Sequence, residues 1–240
     1  MVMISRPAEK SERAKADLAM SGSVDLIPAD LASLQEVAAA ADRLRADHPE
    51  TQVVICNAGV MSKRRQESRD GLELNFAVNH LAHFLLVTRL LDLLERNAPS
   101  RVVVVSSMVH EGATVDLSDI RSERGYDGMS AYGRSKRMNV LFVRELAERV
   151  KDRGITANAL HPGVIATKLL HEYFSGGAPV SEGAKRSIYL ATSQEIGDVT
   201  GRYFRNGRQA TSTALSEDER ENARRLWEIS EKIIRESISD

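Results

Sequence analysis

Arg101-Val102-Val103-Val104-Val105-Ser106-Ser107 is a run of β-branched residues that stops abruptly on two serines. A strand with one face in water alternates apolar and polar residues. A strand that is apolar throughout has both faces covered, as in a parallel sheet between two layers of helix. Upstream, Val53-Val54-Ile55-Cys56-Asn57-Ala58-Gly59 is built the same way, and a helical pattern over 75–95 separates the two runs. The alternation continues outward in both directions. Toward the N-terminus lie a strand at Val2-Met3-Ile4, a helix over 10–20, a strand over 24–27 and an amphipathic helix over 34–46. Toward the C-terminus come a helix over 130–151 stopped by Gly154 and a strand at Ile155–Leu160 running into His161-Pro162-Gly163. A helix over 182–192 and a last strand over 201–204 follow. Repeated strand–helix–strand units predict a single α/β domain over residues 1–240, a doubly wound parallel sheet with helices on both faces.

Composition narrows the partners. The formal net charge of −1 over 240 residues gives no broad field to gather nucleic acid or anionic lipid. Lys63-Arg64-Arg65 reads as a solvated loop. Cys56 is the only cysteine, which excludes an intrachain disulfide and does not indicate an oxidising compartment. At the end of an apolar strand it reads as a buried small residue rather than a nucleophile. The start lacks the apolar core of a signal peptide. The apolar helix over 81–94 carries His83, Arg89 and Asp92 and is too short to span a bilayer. A soluble, cytoplasmic protein with no membrane span is therefore expected. Ser216-Glu217-Asp218-Glu219 fits a capping box, and Leu226, Trp227, Ile233 and Ile234 fall at helical spacing. They predict a terminal helix packed on the body, with a partner or membrane surface as the alternative.

The chemistry-bearing residues are Tyr132 and Lys136 in Ala131-Tyr132-Gly133-Arg134-Ser135-Lys136. Four apart, they share a helix face. A phenol near its ordinary pKa of about 10 is a poor base, and a neighbouring ammonium favours the phenolate. Such a pair can take a proton from an alcohol as hydride leaves its carbon, or return one to a carbonyl. The spacing alone is weak, because a surface helix with one half-buried aromatic has it too. Placement adds weight. Ser107, Asn57-Ala58-Gly59 and His161-Pro162-Gly163 each follow a strand, and open α/β sheets bind ligands along that edge. The Ser107 hydroxyl can hold a substrate oxygen, Ser106 reads as a turn residue, and the small residues after Asn57 admit a flat cofactor. His80 and His83 stand three apart without a carboxylate or cysteine pattern, so they read as structural and no metal is expected.

In order, Asn57-Ala58-Gly59, Val78-Asn79-His80-Leu81-Ala82-His83-Phe84, Val105-Ser106-Ser107, Tyr132-x-x-x-Lys136 and His161-Pro162-Gly163-Val164 resemble the short-chain dehydrogenase/reductase family over nearly the whole chain. The retinol-dehydrogenase-like branch, with its WW-domain oxidoreductase relatives, is the most similar. Glu123-Arg124-Gly125-Tyr126 and Phe142-x-Arg144-Glu145-Leu146 resemble that branch too. Ala82 stands where the motif usually has glycine, and Arg137-Met138 where it has a small apolar pair. The resemblance implies a Rossmann-type fold and an NAD(P)-dependent oxidoreductase interconverting an alcohol and a carbonyl on a small, lipophilic substrate. It implies Tyr132 as general acid/base, Lys136 as the group that lowers its pKa and binds the nicotinamide ribose, and Ser107 as the carbonyl's orienter. Asn79 would hold a helix kink and a relay water. Asn57, Ala58 and Gly59 would flank the cofactor and Asp30 would meet the adenine, while Pro162, Gly163, Val164 and Thr167 would contact the nicotinamide amide. Arg6, with Ser5 where NAD enzymes place an acid, implies NADP(H) in preference to NAD(H). Residues 168–182, with Tyr173, Phe174 and Gly176-Gly177, would form a mobile lid. The helices over 75–95 and 130–151 would build the interface of a homo-oligomer, dimer or tetramer.

One departure is large. The family pattern opens on a strand and Thr-Gly-x-x-x-Gly-x-Gly leading into a helix, whose amides hold a pyrophosphate. Here the first glycine is Gly22, and residues 1–6 match the second strand of the pattern. The first strand, phosphate loop and first helix are thus expected to be missing. In the strand order 3-2-1-4-5-6 that removes the centre of the sheet and opens two edges. The outer strands must then slide about 5 Å to close the gap, or float. A natural protein longer by one strand–loop–helix unit is the preferred reading. The alternative is a truncated, catalytically inactive member acting as a binding or interaction protein. In both, this chain is expected to bind NADPH weakly.

Overall fold

The computed structural model describes residues 1–171, 173, 175–209 and 216–238. Strand β1 (Val2–Ser5) crosses through α1 (Glu9–Ala19) to β2 (Asp25–Pro28), and α2 (Leu34–Asp47) leads on to β3 (Val53–Cys56). A long helix follows in three parts: α3 (Leu74–Phe76), a π turn (Ala77–Leu81) and α4 (Ala82–Arg96). Then come β4 (Ser100–Val105), α5 (Gly128–Arg149), β5 (Ile155–Leu160), α6 (Lys168–His171) and α7 (Val180–Thr192). The chain continues through β6 (Arg202–Arg205), β7 (Arg208–Gln209) and α8 (Glu217–Ser237). This is the doubly wound α/β architecture read from the sequence. β7 was not foreseen: it is a two-residue return that pairs antiparallel with β6 around Asn206 and Gly207, both at positive φ.

The apolar run at β4 works as its composition requires. Val102 and Val104 join Val54 and Cys56 of β3 and Ala157 and Ala159 of β5 in the core beneath α4 and α5. Val103 and Val105 face the other way, with Leu160, Leu190 and Phe204. The parallel register places Val54 opposite Val102 and Cys56 opposite Val104.

The strands fall into two sheets, β1-β2 and β3-β4-β5-β6-β7. Both pairs flanking the division, β1 with β2 and β3 with β4, are parallel. No ladder joins β1 to β3 among the described residues. The two sheets still share one core: Val2 and Ile4 of β1 and Ile27 of β2 pack into the same cluster as Val54 and Cys56. Of the two expected outcomes, sliding or standing apart, the structure takes the second, and α2 packed on α4 bridges the floor.

One expectation needs revision. The apolar helix is not too short for a bilayer. It runs from Leu74 to Arg96, 23 residues, close to the 75–95 read from the sequence, with the Glu73 carboxylate accepting the Asn75 and Phe76 amides at its start. Within this domain it is a core helix, with 72% of its most apolar window buried. α8 packs on α5 and reaches α4. Trp227 stands edge-on to Phe84 at 4.7 Å and stacks on Phe142 at 5.9 Å, with the Arg149 guanidinium 4.4 Å from its ring centroid. Ser230 hydrogen-bonds His80 at 3.0 Å. Aromatic pairs of this kind add about 0.5–1.5 kcal/mol each beyond the area they bury. The capping box is present, with Ser216 and Glu219 serving each other's backbone amides.

Candidate active site

Asp127 accepts the Ser130 amide and starts α5, so Tyr132 falls in its first turns and Lys136 one turn on. Both are buried. The Lys136 Nζ lies 5.6 Å from the Tyr132 ring centroid and donates to the Val105 carbonyl at 2.9 Å. Ser106, read as a turn residue, donates to the Lys136 carbonyl at 2.7 Å and ties α5 to the end of β4. The next residue, Ser107, brings its hydroxyl to the Tyr132 phenol.

Asn79 sits in the π turn, fully buried. Its Oδ1 accepts the Val60 amide at 2.7 Å, and its Nδ2 donates to the Val60 carbonyl and the Ser135 hydroxyl, both at 2.9 Å. It thereby clamps the loop that follows Asn57-Ala58-Gly59. A Cβ on Gly59 would lie 3.3 Å from the Lys136 Nζ and 3.4 Å from Asn79 Oδ1. A side chain there would press the lysine's end by a few tenths of an ångström.

The electrostatics run against one expectation. Burial pushes the Tyr132 phenol up to about 12, with the Ser107 hydrogen bond pulling the other way. Lys136 is itself pushed down to about 8 by burial. The Lys136 ammonium donates to the Val105 carbonyl rather than to the phenol, and the Ser107 bond alone opposes the burial. Cys56 is pushed up to about 12 by burial, in keeping with an inert thiol.

On the far side of Ser107, His161 accepts the Met108 amide at 3.3 Å and His110 bonds the Ser107 carbonyl at 2.7 Å. Burial, then the charges of Arg186 and Arg205, holds the His161 imidazole down at about 4. Pro162 leads into Gly163 at φ +101°, across which Arg186 lies: a Cβ there would come 2.6 Å from its guanidinium. Val164 is exposed, and Thr167 caps α6 by accepting the Leu170 amide.

The segment read as a lid touches the body at its described residues. Ala166 and Ala178 pin its two ends together, and Lys63 lies 5.1 Å over the Tyr173 ring. Phe174 falls outside the described residues. Sequence reasoning missed both Arg186 and the Lys63 contact, since each depends on tertiary approach.

Arg6 and Asp30 stand apart from this group, at the ends of β1 and β2 on the smaller sheet. Arg6 is exposed. Asp30 accepts the Ala32 amide and lies 3.7 Å from Arg69. A dinucleotide reaching from Lys136 to Arg6 would have to cross the division between the sheets. The residues fit its nicotinamide-ribose end, where Tyr132, Lys136 and Asn79 meet beside Gly59. They do not fit its pyrophosphate. No glycine-rich turn opens a helix among the described residues, and the loop entering α1, Arg6-Pro7-Ala8, follows the strand that matches the second of the family pattern. Among the described residues no group of three or more His, Cys, Asp or Glu is placed to hold a metal ion.

A doubly wound sheet with a Tyr–Lys pair and a serine at its carboxyl edge defines a class of nucleotide-dependent redox domains. The short chain dehydrogenase family model matches residues 1–177, and the chain belongs to that family. Human retinol dehydrogenase 14 is 40% identical over 220 residues, covering 85% of this chain and 65% of that protein. Human retinol dehydrogenase 13 is 36% identical, covering 98% and 76%. The WW domain-containing oxidoreductase of Gallus gallus is 36% identical, covering 90% and 56%. The chain thus spans 65% of the length of retinol dehydrogenase 14. A solved structure from Mycobacterium Paratuberculosis superposes with TM-score 0.76 at 29% identity, covering 98% of this chain and 83% of that one. The Pseudomonas aeruginosa RhlG/NADP active-site complex superposes with TM-score 0.68 at 23% identity, over 86% and 84%, a likeness of fold.

Proposed function

We propose that this chain carries the proton-transfer and substrate-holding part of an oxidoreductase that interconverts an alcohol and a carbonyl, with NADP(H) preferred. The observation that carries this reading is the meeting of Tyr132 with Ser107 on one side and with Lys136, Asn79 and the bare backbone of Gly59 on the other. A nicotinamide, when bound, supplies or accepts the hydride. Tyr132 and Lys136 would hold its ribose, Asn57, Ala58 and Gly59 would line its approach, and Pro162, Gly163, Val164 and Thr167 its amide. Arg6 and Asp30 would serve the adenosine end.

The chain's own contribution is to place and move a proton. With its phenol held protonated by burial, Tyr132 donates to a carbonyl oxygen that the Ser107 hydroxyl aligns, so the reductive direction suits it. Lys136, with a pKa near 8, supplies the positive charge that steadies the phenolate left behind. Exposed Met108 and Val164 beside the site support a lipophilic substrate, as do relatives named retinol dehydrogenase.

The second reading, an inactive binding protein, draws on one observation: no glycine-rich turn opens a helix among the described residues to hold a pyrophosphate. A thermal-shift titration with NADPH and with NADH separates the two, followed by reduction of lipophilic aldehydes by the parent and by Tyr132→Phe. The redox reading requires a larger rise with NADPH and a loss of turnover of about 10²-fold or more in the variant. No shift with either nucleotide, or turnover untouched by Tyr132→Phe, overturns it.

A further inference from the structure

We propose that a trough between α5 and β6 is a binding site for a phosphate-type dianion, held by the guanidiniums of Arg137 and Arg144 with the Tyr203 hydroxyl. The site is separate from Arg6 on the smaller sheet, and the proposal does not rest on the redox reading.

The trough follows from where α5 touches its neighbours. Gly133, Arg137, Val140, Arg144 and Ala147 recur at spacings of three and four, so they share one face of α5. Both ends of that face are pinned. A Cβ on Gly133 would lie 3.4 Å from the Ala113 side chain and 3.5 Å from the Val109 carbonyl, so the short turn Met108–Gly112 rests on it. A Cβ on Gly201 would lie 3.3 Å from the Ala147 side chain, which sets the start of β6 against the far end. α5 joins the parallel strands β4 and β5 and so runs antiparallel to β6. Two residues up β6 from Gly201 rise about 6.6 Å, and one turn back along α5 from Ala147 covers about 5 Å. Tyr203 and Arg144 therefore stand at one level.

The inner wall holds donors with nothing to bond. The Arg144 Nε and the Tyr203 hydroxyl are buried, and neither meets a hydrogen-bond partner among the described residues. Tyr203 is 3% exposed, with His110 edge-on to its ring at 4.3 Å. Burial, then the charges of Arg137 and Arg202, pushes Arg144 below the ordinary guanidinium range. Arg137 and Arg144 also act on His110, which puts all four side chains in one neighbourhood. The carboxylates bordering the trough are already matched: Glu219 pairs with Arg137, and Glu111 with Arg205 at 3.4 Å. Arg144 is not matched in this way, since the charges acting on it are cations. Unmet buried donors and gathered like charges both cost free energy. A phosphate offsets both, because a guanidinium grips two of its oxygens side by side and leaves others for the phenol and a second cation. Arg137 and Arg144 are only half-buried, which leaves the trough a way in.

The test is calorimetric titration of the whole chain with inorganic phosphate at about pH 7.5, where the dianion predominates, against sodium chloride of equal ionic strength. The Arg144 Nε–H signal is followed by NMR in parallel and should shift saturably. Arg144→Gln should weaken binding by about tenfold or more. Tyr203→Phe, which removes only the hydroxyl, should weaken it by about threefold to tenfold. Arg6→Gln should bind as the parent does. Phosphatidylcholine vesicles with and without phosphatidic acid read the source: retention on the acidic vesicles that Arg144→Gln abolishes identifies a lipid headgroup, and binding of free phosphate without retention identifies a soluble phosphate. Phosphate binding no tighter than chloride overturns the proposal, as does equal affinity in the parent, Arg144→Gln and Tyr203→Phe. So does a loss confined to Arg6→Gln, which would place the anion at the adenosine end.

Discussion

His83 lies in the first turn of α4, 2% exposed, and among the described residues neither ring nitrogen meets a partner in hydrogen-bonding geometry. Burial, with the charge of Lys136 and neighbouring His80 next in order, holds its pKa down at about 3, and the Asn79 backbone pulls weakly the other way. The unfolded imidazole titrates near 6.5. The folded pKa is the lower one, so the fold favours the neutral ring. The stability this contributes is complete above pH 6.5 and is lost as pH falls from 6.5 toward 3. Between about pH 7.5 and about pH 5.5 the unfolded chain takes up a proton that the folded chain refuses, which costs about 1.4 kcal/mol for this one group.

Substituting His83→Met removes the titration and fills the site with apolar volume. At pH 7.5 the variant should be at least as stable as the parent, since it no longer buries unpartnered nitrogens. Its loss of stability on acidification should be smaller than the parent's by about 1.4 kcal/mol. With a urea slope of about 2.5 kcal/mol/M, that is a midpoint difference of about 0.5 M. Trp227, the only tryptophan, is buried against the adjoining aromatic cluster and reports the transition by fluorescence. Equal pH dependence in parent and variant would refute the reasoning.

Other perturbations follow from the same packing. Phe84→Ala, at a ring 1% exposed between Phe142 and Trp227, should cost about 3–5 kcal/mol and lower the urea midpoint by more than about 1 M; a shift below half of that would show that the cluster collapses to fill the void. Ser216→Ala breaks the capping box of α8 and should cost about 1 kcal/mol in the same titration. Gly128→Ala puts a Cβ 2.4 Å from the Ser62 carbonyl and 2.5 Å from the Tyr173 hydroxyl, so the lid must lift. Trypsin should then cut at Lys168 sooner than in the parent, and an unchanged cleavage rate would mean that the Ser62 loop yields instead.

Much of the fold was legible because periodicity is local. Val102–Val105 has to be buried on both faces, and Leu226, Trp227 and Ile233 have to share a stripe, whatever the rest of the chain does. Tyr132 and Lys136 were legible from their shared helix face and Ser107 from its place at a strand end, while Asn79 was legible only through the family resemblance. Distant approach was not legible. Arg186 reaches Gly163 from the next helix, and Lys63, read as part of a solvated run, lies over Tyr173 of the lid. The shift of Tyr132 was misjudged for a related reason: a sequence shows that a lysine is near in helical spacing, but not that its ammonium is directed at the Val105 carbonyl. The start of the long helix was read to within a residue, and the Glu73 carboxylate meeting two amides is what fixes it.

The packing of α8 on α5 and α4 has a consequence for the order of synthesis. The bond from His80 to Ser230 spans 150 residues, and the partners of Phe84 and Phe142 on Trp227 are nearly as late. A ribosome adding about 5–20 residues per second takes roughly 3 to 14 s to make the stretch between α5 and α8. Through that interval the nascent domain carries a bare aromatic face, the kind of surface that recruits chaperones or other nascent chains. A defect confined to α8 therefore acts as a defect of the core. It should show first as a lower yield of soluble chain during synthesis, before any effect on the finished protein's site.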